Sequence, residues 1–300
     1  MHFYEASIIT TKDGLHCQVY GNEHPLHSII VKPKYIPTDK IECDAVPYRF
    51  ISGKKMNRLD LWIKDTKKLK TYFEEFKKAY PDYILDAERF IFSIPVDKIE
   101  KIYFPRTGFA ELMSMPKNHL DAHLKTVREL GDFLLQSGLS VKDLGITYST
   151  LTGQYLAGVS DINYVVYGKE NYRKLMNYLE HATHPLLRWK TNDEWLQFRE
   201  KRHRSKVFTK EEFLHSMTKK RSEGYFNDSL FLIFCAEKKE EVRTLWGTET
   251  YTTKGPVTIR ARVTNHQDSV TRPGTYHVDN VTIIKGDDQE TKKETKNNPI

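Results

Sequence analysis

An α+β protein in three parts, a central mixed sheet with helices flanked by two small β-rich modules, is the fold class this sequence predicts. Three observations predict it. The first hundred residues are mostly short β-prone runs around one amphipathic stretch. Residues 119–181 alternate between helical periodicity and short apolar runs, and Val257, Ile259, Ala261 and Val263 alternate with Thr258, Arg260 and Arg262 in the period of a strand.

The first part, residues 1–110, begins with β-prone runs at 6–10, 17–20 and 28–32, and Asp13-Gly14 marks a hairpin turn between the first two. An irregular, proline-containing stretch is expected over 33–47. Residues 64–80 then carry Leu69, Tyr72, Phe73, Phe76 and Tyr80 on one helical face, and Pro81 stops that helix. The run from Ile94 to Pro105 reads as the exit from this module.

The central part, residues 115–236, opens with a helix over 119–135, where Leu120, Leu124, Val127, Leu130 and Leu134 recur three or four apart. A strand at 144–147, a turn carrying Ser149 and a strand at 162–167 follow. A helix over 171–181 comes next, and two Thr-x-x-Glu capping boxes, Thr191 with Glu194 and Thr209 with Glu212, announce two more. Residues 225–235 read as a further strand. Residues 237–285 are expected to form a small β-barrel, and 286–300, polar and without an apolar anchor, a disordered tail.

Composition narrows the class of function. Charged residues make up 29% of the 300 and no run of eighteen apolar residues exists, so no membrane partner is expected. The first residues lack a basic segment followed by an apolar one, and the three cysteines are odd in number and far apart. Both features fit a reducing cytoplasm. Of the net charge of +7, a local +6 lies between Arg188 and Arg221, where eleven Lys/Arg face five acids.

The most informative stretch is Gly145-Ile146-Thr147-Tyr148-Ser149-Thr150-Leu151 followed by Ser160-Asp161-Ile162-Asn163. Asp161 and Asn163 stand two apart on a strand and share a face, opposite a turn of small residues. The pattern resembles the signature of the DNA polymerase β-type nucleotidyltransferase superfamily, a Gly-Ser turn before an Asp-x-Asp or Asp-x-Glu strand. The order of segments is similar to that of a group of predicted archaeal nucleotidyltransferases, in which such a domain lies between an N-terminal β module and a C-terminal barrel.

The resemblance implies that Asp161 is a metal ligand, that Asp228 completes the acidic set, and that Ser149 contacts a phosphate. Two departures bear on the chemistry. Tyr148 stands where glycine is expected and Asn163 where the second acid belongs, so a hard-cation site loses a full negative charge. The expected cofactor is therefore none, or weakly held Mg²⁺ on Asp161. Ser149 reads equally as a helix cap, Asp228 as a turn residue beside Asn227, and Tyr148 as a base-stacking ring or a plug in the nucleotide pocket.

The expected function is a nucleotidyltransferase-fold protein with a degraded metal site that binds RNA or a ribonucleoprotein, the ribosome among the candidates. Its RNA contacts are Arg188, Lys190, Arg199, Lys201, Arg202, Arg204, Lys206, Lys219, Lys220 and Arg221, interleaved with Trp189, Trp195, Phe198 and Phe208. The alternative is an active Mg²⁺-dependent enzyme that moves a nucleotide from an NTP to an RNA, protein or small-molecule acceptor. The chain is compatible with an oligomer.

Overall fold

The computed structural model describes residues 2–41, 48–51, 53–59, 66–87, 89–201, 207–252 and 255–286. The fold is α+β. Among the described residues there are seven α-helices, and none is long and apolar enough to cross a membrane.

The N-terminal part is one sheet and one helix. Its strands are β1 (Ile8–Thr11), β2 (His16–Val19), β3 (Ser28–Pro37), β4 (Tyr48–Ile51), β5 (Lys54–Arg58), β6 (Ile84–Asp86), β7 (Ile91–Pro95) and β8 (Ile99–Tyr103), with α1 (Thr66–Ala79) between β5 and β6. The path runs β4-β5-β3-β2-β1-β8, and β7 joins β3 to β6. Tyr72, Phe73 and Phe76 of α1, with Tyr80 just beyond its end, pack against Ile9, Cys17, Val31 and Phe92 of the sheet. The Asp13-Gly14 turn forms as expected, with Gly14 at φ +88° and its amide bonded to the Thr11 carbonyl.

Residues 33–37 are not irregular. They extend β3, with Pro33 opposite Cys17 beside a shift in the β2–β3 register, a setting in which strand proline is tolerated. The part of that stretch from 42 to 47 lies outside the described residues.

Central elements follow as α2 (Pro105–Ser114), α3 (Ala122–Leu135), β9 (Leu144–Ile146), α4 (Tyr148–Thr152), β10 (Ile162–Tyr167), α5 (Lys169–His181), β11 (Leu187–Arg188), α6 (Asn192–Lys201), α7 (Lys210–Met217), β12 (Glu223–Phe226) and β13 (Ser229–Ala236). The sheet order is β11-β12-β13-β10-β9, with β10 parallel to β13 and antiparallel to β9. The sheet is thus mixed. Helix α2 has Pro at its first position and packs on β9 so closely that a Cβ on Gly145 would lie 2.7 Å from Pro105. Both capping boxes form: Glu194 and Glu212 each accept from the threonine amide three residues earlier, at 2.8 Å.

Residues 225–235 are not one strand. Asn227 and Asp228, at φ +47° and +58°, make a two-residue turn that folds β12 back onto β13. The expected C-terminal barrel is also corrected. Among the described residues it is a two-stranded ribbon, β14 (Thr258–Asn265) and β15 (His277–Lys285), too few strands to close. Lys169, at the start of α5, lies 3.0 Å from Glu237, just after β13, and 2.8 Å from Asp268 in the loop between β14 and β15. The expected tail lies outside the described residues from 287 onward.

Candidate functional site

The turn after β9 bends at Tyr148, a residue other than glycine. Thr147 is extended, Tyr148 sits in the left-handed region at φ +54°, and α4 ends at Gly153 with φ +71°. A non-glycine residue pays roughly 1–2 kcal/mol there. Packing on the Tyr148 ring has to offset that strain. The ring lies 6.0 Å from Phe234 in an edge-on arrangement, and the Lys34 ammonium sits 4.4 Å above its centre.

Alternation along β10 decides what can reach a ligand. Ile162, Tyr164 and Val166 enter the central core, so Asn163, Val165 and Tyr167 point to the other face. That face is closed by the N-terminal segment. Ala6 packs on Val165 and Tyr167, the Tyr4 ring meets Tyr167 edge-on at 5.4 Å, and the Thr147 hydroxyl donates to the Ala6 carbonyl at 2.6 Å. Asn163 is 4% exposed, and its neighbour across the parallel ladder is Leu232 rather than an acid.

Asp161, just before β10, remains exposed. Its carboxylate acts on two neighbours, holding up both the Lys34 amine and the His123 imidazole against the stronger downward effect of burial. Asp228 does not join it. It occupies the second position of the β12–β13 turn, is exposed, and adds its charge to that of Glu194 on Arg188. Among the described residues no three His, Cys, Asp or Glu side chains form a metal-binding group. One exposed carboxylate, a buried amide and a leucine do not fit the Mg²⁺ that the resemblance implies.

The cleft at Ser149 is nearly filled. Its walls include Ile8, His16, Cys17, Lys34, Tyr35 and Tyr148, and it leaves about 10 Å³ for the centre of a water-sized sphere. That is room for about one water. Ser149 lines this space and is not the helix cap, since Thr147 holds that position. Burial, aided by Arg58 and opposed by Asp161, pushes Lys34 down to about 8. The unfolded chain therefore binds a proton that the folded chain lacks above that pH, and stability rises as pH climbs from about 8 toward the ordinary lysine range. Lys34→Met is expected to flatten that rise in a series of thermal melts.

All three parts of the chain meet beside Tyr148. Arg272, from the loop between β14 and β15, lies 4.6 Å over the Phe234 ring and 3.4 Å from the Glu5 carboxylate. Glu5 is buried, accepts from the Gly21 amide and from Gln18, and is raised by burial more than Gly21 and Arg272 lower it. Neither Lys34 nor this pair was legible as chemistry in the sequence. The one available signal was Lys32-Pro33-Lys34, two lysines on the same side of an otherwise apolar strand.

The basic segment divides into inward and outward groups. Lys190 and Lys220 both bind Glu223, and the side chains of Lys190 and Glu223 are 6% and 5% exposed. Lys190 is thus a structural cation beneath Trp195, 4.5 Å from that ring, and not a surface contact as expected. Arg199 is mostly buried against Glu200, Arg188 forms two hydrogen bonds to Glu194 and stacks 4.2 Å over Tyr225, and Arg221 lies 5.1 Å over Trp189. Lys201, Lys210 and Lys219 are exposed, as is Phe208 at 53%, whereas Trp195 is buried in the core. Arg202, Arg204 and Lys206 lie outside the described residues.

No protein-family model matches the chain, and no solved structure matches it. The chain is similar to the uncharacterized protein MJ1086 of Methanocaldococcus jannaschii, at 25% identity over 276 residues covering 90% of this chain and 79% of that one.

Proposed function

We propose that this is a cytoplasmic protein of the nucleotidyltransferase fold whose transfer site is closed and which acts by binding RNA or a ribonucleoprotein, the ribosome among the candidates. The observation that carries the reading is the closure. The face of β10 that would meet a nucleotide lies under Tyr4 and Ala6, and the glycine position of the turn is a tyrosine packed against Phe234. In-line phosphoryl transfer needs a cation held between carboxylates and the triphosphate, and Asp161 alone cannot supply that geometry.

The binding half of the proposal rests on α6 and α7. Lys201, Lys210 and Lys219 present point charges for phosphates, and Phe208 presents an exposed ring to an unpaired base. Incubation with each labelled NTP and Mg²⁺ or Mn²⁺ tests the reading against the enzyme alternative. No transfer is expected. Incorporation that disappears in Asp161→Ala would establish the enzyme instead.

A further inference from the structure

We propose that the N-terminal part carries a ligand site of its own, a cavity where four turns meet at one end of its sheet, and that this cavity binds a small phosphorylated sugar. The cavity shares no residue with the α6–α7 face or with the Ser149 cleft, so the proposal stands or falls without the function proposed above.

Backbone contacts bring the four turns together. Lys12 follows β1 and Lys98 precedes β8, and the Lys12 amide donates to the Lys98 carbonyl at 3.0 Å. Lys40 arrives on the turn after β3, its amide donating to the Pro37 carbonyl at 3.3 Å. Pro37 in turn packs on the Asp13-Gly14 turn so closely that a Cβ on Gly14 would lie 3.1 Å from its ring. The fourth turn, Pro81–Tyr83, is tied to the first by the Tyr83 hydroxyl, which donates to the Asp13 carboxylate at 2.7 Å. The cavity between these turns measures about 400 Å³, which is the size of a small-molecule site.

The lining determines the chemistry of the ligand. Lys12, Lys40 and Lys98 all face this space, and among the described residues none of the three ammoniums lies within ion-pairing distance of a carboxylate. A phosphate group supplies the anion they lack. Two carboxylates share the wall. Asp13 is engaged by Tyr83, whereas Asp82 is exposed and has no partner among the described residues. A lining of both signs suits a ligand with a phosphate on one side and hydroxyl donors on the other, rather than a bare polyanion. Ala79 and Pro81 add an apolar surface for the carbon face of a sugar ring. Tyr80 also lines the cavity at 3% exposure, and its buried hydroxyl finds no partner among the described residues. Burial, with Asp13 and Asp39, pushes that hydroxyl up, so it stays protonated at neutral pH. A buried hydroxyl without a bond is unfavourable, and a polar ligand against this wall offers it one.

The experiment is calorimetric titration of the full chain with ribose 5-phosphate, inorganic phosphate and ribose at constant ionic strength. Ribose 5-phosphate is expected to bind at a single site about tenfold or more tightly than either of the others, because only it meets both signs of charge. Lys12→Gln with Lys98→Gln should weaken it by about tenfold or more, and Lys40→Gln, at an exposed position that folding does not depend on, by about fivefold. Asp82→Asn should act differently. It should remove most of the advantage of ribose 5-phosphate over inorganic phosphate while leaving inorganic phosphate bound at least as well. Equal wild-type affinity for ribose 5-phosphate and inorganic phosphate would reduce the cavity to a general anion site and overturn the proposal. So would the absence of saturable binding, or affinities that the lysine variants leave unchanged. Reversing Lys201, Lys210 and Lys219 to glutamate should not alter the titration, and a loss there would place the sugar phosphate on the α6–α7 face instead.

Discussion

Reversing Lys201, Lys210 and Lys219 to glutamate is expected to weaken RNA binding on the order of a hundredfold at low salt. A charge pair at contact distance in water is worth about 1 kcal/mol, so losing three such contacts removes about 3 kcal/mol, and tenfold corresponds to about 1.4 kcal/mol. The dependence on salt should change with the affinity. For single-stranded RNA each phosphate contact adds about 0.7 to the slope of log affinity against log salt, so the triple variant should lose about 2 from that slope. Phe208→Ala is expected to behave differently. It removes about 1–3 kcal/mol of stacking and leaves the slope unchanged, because no ion is released when a ring meets a base. Fluorescence anisotropy with labelled single-stranded RNA at several KCl concentrations reads both quantities. Equal effects of all four residues on affinity and slope would mean that the surface is not organised into charge and stacking contacts.

Glu223→Ala is expected to destabilise the protein by about 3 kcal/mol, because it leaves the buried Lys190 ammonium without its carboxylate partner. The aromatic faces of Trp195 and Phe198, 4.5 and 5.2 Å from Lys190 Nζ, only partly compensate. Removing both charges together, as Lys190→Met with Glu223→Gln, should recover most of the loss. The pH dependence has a definite sign. Burial pushes the Glu223 carboxyl up, but Lys220 and Lys190 together outweigh burial and leave it below the usual carboxylate range. The stabilisation is therefore complete above the unfolded carboxyl's pKa and disappears as pH falls through the folded one. Wild type and Glu223→Ala should differ in urea midpoint at pH 7 and converge in acid.

Local patterns were the readable part of this fold. The α3 and α5 helices follow from apolar spacing, the α6 and α7 starts from their Thr-x-x-Glu boxes, and the β1–β2 hairpin from Asp13-Gly14. These signals are legible because partner residues lie within one turn of each other. Long-range partners are not. Lys190 and Glu223 are 33 residues apart, so a buried ion pair looked like part of a solvated basic run. Asp228 was read both as a candidate acid, from the resemblance, and as a turn residue beside Asn227, and the structure places it in the β12–β13 turn, where both residues adopt a left-handed backbone. The ribbon of β14 and β15 was over-read as a barrel because alternation reports strands and not how many neighbours they find. Tyr148 was recognised as a departure, yet only the three-dimensional arrangement brings Lys34, Phe234 and Arg272 around it.

The central claim is that this chain binds a polyanion without a metal. Its most direct test is the affinity of the wild-type protein for labelled single-stranded RNA in EDTA, measured from about 50 to 500 mM KCl. The predicted result is binding that persists in the chelator and falls with a log–log slope of about 2 or more, as three or more lysine–phosphate contacts require. Binding that vanishes on chelation, or that is flat across the salt range, would contradict it.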